Sequence, residues 1–370
     1  MTGVRFAVFA LLSCCSVRAQ KGGPPDPIQT LMREGDGAFR QGDYPAARES
    51  LEKALRMASQ LPAGSVLRYD VLKRLTSVSA ASGQFAEARH YLEQALAWRE
   101  SSLGQNDPKI ADDLVLRVNF ELRTKEFDRA LATAQRVQAM HVASYTSDSI
   151  PAADDLLRIG QIYLLQQRPN EAVRSLVKAH DIRTRLLGSL DPGLLPVLDR
   201  MNEAFETMSG HGSIMVLREA LTIREILYGE NSPELISTVD GLANAYYTEQ
   251  MFVAAEPVYL RLLALWEGVS GKDHPMVAVV LDKLVVFYAK ESEPEKAREA
   301  LARSVTIRAR FLAVGLSHQA ADEISQKHQE QAKVLYNRAL AALGPSSAAN
   351  EELIVQIKKA LADLQEPSAK

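Results

Sequence analysis

Seven histidines, two cysteines and three pairs of adjacent carboxylates are the residues of this chain best equipped for chemistry, and their spacing argues against most of it. The histidines (His90, His141, His180, His211, His274, His318, His328) are scattered. A zinc hydrolase would set two of them around a glutamate, and no His-Glu-x-x-His occurs. His318 and His328 lie ten apart on one predicted helix and read as surface residues, and His211 between two glycines reads as part of a turn. The pairs Asp112-Asp113, Asp154-Asp155 and Glu351-Glu352 are sequence neighbours. Neighbours on a helix diverge by about 100°, so these acids do not converge on a substrate. All three pairs stand near predicted helix starts, where negative charge complements the helix dipole. No Gly-x-x-x-x-Gly-Lys-Ser/Thr loop and no Gly-x-Gly-x-x-Gly fingerprint offers a phosphate cradle. The expectation is a chain that is no enzyme and carries no cofactor or metal.

The cysteines point to an address. Arg5 precedes the apolar run Phe6 to Leu12, and Val17-Arg18-Ala19 ends it with small or aliphatic residues. That is the layout of a secretory signal, residues 1–19, too short to span a bilayer comfortably. Cleavage there removes both Cys14 and Cys15, and with them any disulfide, thiolate or cysteine-based metal site. Leu11-Leu12-Ser13-Cys14 supports a competing reading, a bacterial lipoprotein box in which Cys14 carries the lipid. Either way the mature chain is expected outside the cytoplasm: periplasmic, secreted or associated with an outer membrane. Residues 20–27, rich in Gly and Pro, read as a linker. No later stretch approaches 18 consecutive apolar residues, so no transmembrane helix is expected in the mature chain. A net charge of −3 over 370 residues gives no basic stripe for nucleic acid.

What remains is a repeat. Small residues stand at Ala47, Ala88, Ala130, Ala172, Ser213, Ala255 and Ala297, each 41 or 42 positions after the last. Two helices crossing closely need a small side chain at the contact. The bulky residue four positions on (Leu51, Leu92, Leu176, Leu217, Tyr259, Leu301) shares that face and is expected to fill the core. The connections repeat too: Gly104, Gly188, Gly229 and Gly271 each stand four residues before Pro108, Pro192, Pro233 and Pro275. A glycine ends one helix in the left-handed region, Asp107, Asp191, Ser232 or His274 caps the next, and proline takes its first position. Each unit is therefore a first helix, a tight turn, a second helix and a Gly-x-x-x-Pro connection.

These blocks resemble tetratricopeptide (TPR) repeats, in particular the lengthened repeats of kinesin light chains and their bacterial relatives. The resemblance rests on Glu219-Ala220-Leu221-Thr222-Ile223-Arg224-Glu225-Ile226-Leu227-Tyr228-Gly229, on Lys272-Asp273-His274-Pro275, and on Ile182-Arg183, Trp98-Arg99 and Ile307-Arg308. It implies an all-α fold, a right-handed superhelical solenoid of tandem helix-turn-helix repeats. About seven repeats cover residues 28–314. The fifth is degenerate, because Ser209-Gly210-His211-Gly212 replaces a tight turn. Residues 315–370 read as a degenerate eighth repeat, with Ala332, Tyr336 and Ala339 in its second helix, and a capping helix over 350–364.

A solenoid exposes a concave groove lined by its first helices. Counting from the small-residue anchors, one position of that face falls on Asp36, Ser77, Asn119, Gln161, Asn202, Asn244 and Val286. Carboxamides donate and accept together, so a row of them suits a peptide backbone. The resemblance implies peptide contacts for Asn119, Asn202 and Asn244. Arg40, Lys73, Arg74 and Arg123 make the early groove basic, while Phe205, Glu206, Asp240, Tyr247 and Asp282 make the later part acidic with aromatic anchors. A clamp for chaperone tails would need Lys four residues before Asn. Asn119 and Asn202 instead follow Val115 and Leu198, and Lys73 leads to Ser77, so that clamp does not fit. The expected function is a non-catalytic scaffold that holds a protein or peptide partner in the groove. The alternative is a structural component that assembles with copies of itself.

Overall fold

A computed structural model of the chain describes residues 26–62, 65–208, 212–344 and 350–364. The segment read as a signal, Cys14 with it, most of the linker, and Ser209, Gly210 and His211 of the fifth turn lie outside the described residues. The chain forms two compact units, one ending at Phe120 and the other beginning at Glu121. Among the described residues there are α-helices and single 3-10 turns and no strand.

The first unit holds α1 (Pro27–Arg40), α2 (Tyr44–Ala58), α3 (Val66–Ala81), α4 (Phe85–Leu103) and most of α5 (Ala111–Arg123), inside which the division falls. The second continues with α6 (Phe127–Tyr145), α7 (Ile150–Leu165), α8 (Pro169–Leu187), α9 (Leu195–Thr207) and α10 (Ser213–Tyr228). Then come α11 (Ile236–Thr248), α12 (Phe252–Ser270), α13 (Pro275–Lys290), α14 (Pro294–Ser325), α15 (Gln329–Leu343) and α16 (Glu351–Asp363). In the first unit α1 pairs with α2 and α3 with α4; in the second α7 pairs with α8, α9 with α10, α11 with α12 and α13 with α14, the odd-numbered helix being the first of each pair, so each unit is a run of stacked helix pairs.

Local chemistry makes the corners. The Asp107 carboxylate accepts from the Lys109 amide at 2.8 Å and Asp191 from the Gly193 amide at 2.7 Å. His274 does the same through Nδ1, accepting from the Met276 amide at 3.2 Å. Gly104, Gly188, Gly229 and Gly271 end their helices with φ between +87° and +93°. The same register in the third repeat is held by Thr146, with φ +109° and ψ 163°. That region is essentially reserved for glycine, and a side chain there costs about 1–3 kcal/mol. Thr146→Gly is therefore expected to raise stability by about 1 kcal/mol after the entropy of a freer unfolded glycine is subtracted. A denaturation midpoint at or below that of the parent would show the corner to be unstrained.

The small-residue anchors pack as their spacing predicts: Ala47, Ala88, Ala130, Ala172 and Ala255 are fully buried, Ser213 is buried and Ala297 half-buried. Glycines sharpen the fit. A Cβ on Gly35 would lie 2.7 Å from Leu51 Cγ, and one on Gly160 the same distance from Leu176 Cγ. The fifth pair joins the fourth in one core: Val197, Leu198, Met201, Ala204, Val216 and Ile223 cluster with Ala172, Leu176 and Ala179. Its corner is held by Gly212, φ +101°, whose missing side chain leaves room for the Phe205 ring.

The C-terminal part departs from the pattern. Leu301, expected in the core, is 48% exposed, and Ala300, Ser304 and Ile307 are buried instead. The cause is α14, which runs 32 residues without a turn. In the other repeats a connection folds the next first helix back onto the second. Here the Gly-x-x-x-Pro stop is missing: buried Ala313 holds the glycine register and Ser317 the proline register. The helix reads through, and the face bearing Leu301, Val305 and Leu312 stays uncovered. Beyond Ile307 a separate core begins, in which Ala313, Leu316 and Ala320 pack against Ala332, Tyr336, Ala339, Ile354 and Ile357. Asn350 stands at the N-cap of α16, but its side chain makes no capping bond and instead donates to the Leu343 carbonyl at 3.4 Å.

Candidate functional site

Near the C-terminal end of each second helix from α4 to α12, and mid-way along α14, one register holds Arg99, His141, Arg183, Arg224, Trp266 and Arg308. These side chains are struts. Arg99 meets Asp113 at 3.0 Å. His141 Nδ1 meets Asp155 at 2.7 Å. Arg183 pairs with Asp154 and donates to the Gly193 carbonyl at 2.8 Å. Arg224 donates to Thr238 and to both oxygens of Asp199 at 2.8 Å, and Arg308 pairs with Asp282. Trp266 breaks the series by stacking on His274, ring centres 6.2 Å apart. Through Arg99, His141 and Arg224 the second helix of one repeat is tied to the first helix of the next.

Asp113 is the most enclosed of these groups. It is fully buried, its Oδ2 accepting from Tyr69 at 2.7 Å while Lys73 Nζ lies 3.0 Å from Oδ1. Burial, then the neighbouring Asp113 charge, holds the Tyr69 phenol far above its ordinary range, so it remains a donor. Asp155 is raised too, by burial, which His141 and Arg158 only partly offset. The expectation that Asp112-Asp113 and Asp154-Asp155 merely face helix dipoles is thereby corrected. One acid of each pair is an internal anchor. His318 and His328 do not share a helix either: α14 ends at Ser325, and His328 stands just before α15, its Nδ1 2.8 Å from Glu323 rather than bonded to the helix. Among the described residues no three His, Cys, Asp or Glu side chains group as a metal set, and no helix is long and apolar enough to cross a membrane.

The groove candidates fall on first helices, and the structure sorts them. In the first unit Asn119 is exposed on α5. Lys73 and Arg74, expected as open cations, are both taken: Lys73 by Asp113, and Arg74 by the two oxygens of Asp36 at 3.0 and 3.1 Å. The basic early groove is thus largely neutralised from within. In the second unit Arg123 is exposed at the end of α5, and Gln161 is half-buried on α7. On α9 the Asn202 nitrogen donates to Glu206 at 2.9 Å while its oxygen is buried without a donor. Phe205 packs into the core and over Gly212 rather than standing free as an anchor. On α11 the Asn244 oxygen accepts from the Tyr259 hydroxyl at 3.1 Å. Burial, with Asp240 and Tyr247 nearby, pushes that phenol up to about 12, which keeps it a donor. Tyr247 joins a ring cluster with Phe252 and Phe287. The acids named for this end are also engaged, Asp240 by Lys283 and Asp282 by Arg308.

Two family models described as tetratricopeptide repeat match this chain, one over residues 26–101 and 235–310 and the other over 156–192, together more than half its length. The chain belongs to the tetratricopeptide repeat family. This TPR protein has the fold of a protein-interaction scaffold. No curated protein matches it. Similar solved structures include BtubC (BKLC) from P. vanneervenii, at 20% identity and TM-score 0.49, covering 65% of this chain and 92% of that one. A kinesin light chain protein of nearly identical TPR-like repeats from Podosopora anserina covers 55% and 99%, at 18% identity and TM-score 0.49. A tetratricopeptide repeat protein from Parabacteroides merdae covers 92% and 99%, at 17% identity and TM-score 0.44.

The strut register was visible in the sequence as a recurring Arg, but not its role. The Asp and Thr side chains that Arg99, His141, Arg183, Arg224 and Arg308 meet lie 14 to 29 residues away on another helix, a distance that no local pattern encodes. Phe252 and Phe287 were missed because they belong to corners, outside the register counted for the groove.

Proposed function

We propose that this TPR protein is a non-catalytic scaffold that holds an extended segment of a protein partner along the first-helix face of its second unit. The observation that carries the reading is the recurrence of Gln161, Asn202 and Asn244 in one register on α7, α9 and α11. Asn202 adds an oxygen that has no donor among the described residues, which a turn of its carboxamide would offer to a passing backbone N–H. Tyr247 borders the row, and Asn119 holds the same register on α5. We further propose that the protein works outside the cytoplasm, on the strength of Arg5, the apolar run Phe6 to Leu12, and either cleavage after Ala19 or lipidation of Cys14. The intact mass of the protein from its own cells separates those two routes.

A photo-crosslinking amino acid placed at Leu165 or Val286, both exposed on the first-helix face, is expected to capture a partner protein in native cells. The same group at Val253, 93% exposed on the second helix α12, should not. Replacing Gln161, Asn202 and Asn244 together by alanine should abolish the adducts while the helical spectrum stays intact. Equal capture at Val253, or adducts that survive the triple substitution, would remove the groove as the binding face.

A further inference from the structure

Leu301 stands in the register of Leu51 and Leu176, each of which sits against a glycine of the first helix in its own pair, Gly35 and Gly160. The same count back from Leu301 reaches Val285, so α13 offers no such seat. Leu301 points outward instead, with Val305 beside it, the two 48% and 55% exposed. On α12 the corresponding residues, Tyr259 and Leu263, are buried and half-buried, in one core with Val277, Ala278 and Leu281 of the next first helix. α14 thus carries a second-helix face from which the next first helix is missing.

That first helix lies further along α14 itself. Counted back from Ala332 as α13 is from Ala297, Ala313, Leu316 and Ala320 correspond to Ala278, Leu281 and Val285, and they pack against α15. Leu312 and Gly315 then correspond to Val277 and Val280, which α13 buries against α12. Here Leu312 is 54% exposed, and a Cβ on Gly315 would meet nothing within 4 Å. Glycine inside a helix is destabilising, and among the described residues no contact calls for it at this place. Both halves of a repeat-to-repeat interface therefore lie on one straight helix, each without its counterpart. Ala297, Leu301, Val305, Leu312 and Gly315 fall within about 80° of arc along about 27 Å of helix. Arg308 stands mid-strip, and its charge is already paired with Asp282.

We propose that this strip is a dimer interface, two α14 helices pairing antiparallel across a two-fold axis near Arg308. The joint that earlier repeats close within the chain is closed here by a second copy, once on each side of the axis. The pairing sets Leu301 over Gly315 of the second copy and Val305 against its Leu312. A leucine on an open glycine repeats the packing of Leu51 on Gly35 and of Leu176 on Gly160. An unrelated partner would have to supply both faces, whereas a second copy supplies them by symmetry. The proposal is independent of what occupies the first-helix face of the earlier repeats.

Sedimentation equilibrium of the purified full-length protein is expected to give a two-chain mass at concentrations up to about 100 μM. Leu301→Glu should weaken the dimer at least about a hundredfold, by placing a charge in the apolar strip. Gly315→Leu should do the same by filling the seat. It should also leave the thermal midpoint of the diluted, monomeric chain equal or higher, because the position is open within the chain. Val305→Glu and Leu312→Lys should each be single chains, and should form a mixed dimer when combined, since antiparallel pairing brings the new charges together. A parent that stays a single chain throughout would overturn the second copy as occupant. A two-chain mass that survives both Leu301→Glu and Gly315→Leu would overturn the strip as the interface. Charged variants that stay apart on mixing, or parent masses above two chains, would overturn the two-fold antiparallel pairing.

Discussion

Asp113→Ala is expected to destabilise the first unit by about 3 kcal/mol, lowering its thermal midpoint by roughly 15 °C. The carboxylate is fully buried and takes three partners: Tyr69, Lys73 and Arg99. Removing one member of a buried ionic cluster leaves the others uncompensated, at about 3–5 kcal/mol when all are enclosed. Here the Lys73 and Arg99 side chains are 34% and 21% exposed, so they recover some hydration and the lower end applies. Arg99 also rests on the Tyr69 ring, 4.3 Å from its centre, and the ring stacks on Trp98. Losing the anchor should therefore loosen α3 and α4 together. Asp113→Asn, which keeps the shape and an acceptor for Tyr69, should cost about half as much. Urea midpoints and hydrogen exchange resolved to single helices measure both effects. A change under about 0.5 kcal/mol for the alanine variant would mean that the cluster adds nothing to stability.

The second large effect is steric. Gly160→Val should cost about 3 kcal/mol, because its Cβ alone would sit 2.7 Å from Leu176 Cγ and 2.8 Å from a Leu176 methyl. Both residues are buried in the fourth repeat, Leu176 as part of its hydrophobic core. Leu176→Ala by itself should cost a similar amount, through the cavity it leaves. Combined, the two should be less damaging than their separate costs added, by at least about 1 kcal/mol, since the shortened side chain vacates the space that valine needs. Additive costs would show that the two residues do not meet. Gly35 and Leu51 repeat the geometry in the first unit and provide an independent check.

The period of the array was legible because two constraints recur: a small residue where paired helices cross and, from α4 to α12, a positive φ where a second helix ends. Thr146 shows the limit of that reading. Its place in the glycine register follows from counting, but what a threonine does there is visible only in its backbone angles. The groove was half legible. Register placed Asn202, Asn244 and Tyr247 on first helices, whereas charge read from sequence misled, since Lys73, Arg74, Asp240 and Asp282 each meet an opposite charge. Which long side chains stay available depends on partners a full repeat away.

The uninterrupted α14 also sets how this molecule tolerates changes of length. A residue added to a Gly-x-x-x-Pro connection is taken up by the loop. Added between Ile307 and Ala313, it turns everything beyond it by about 100° and advances it by about 1.5 Å. The α15–α16 end would swing round the axis like a key on its shaft, its own core intact, to face a new direction. This stretch is well exposed, and it is nonetheless where an insertion reorients the most protein.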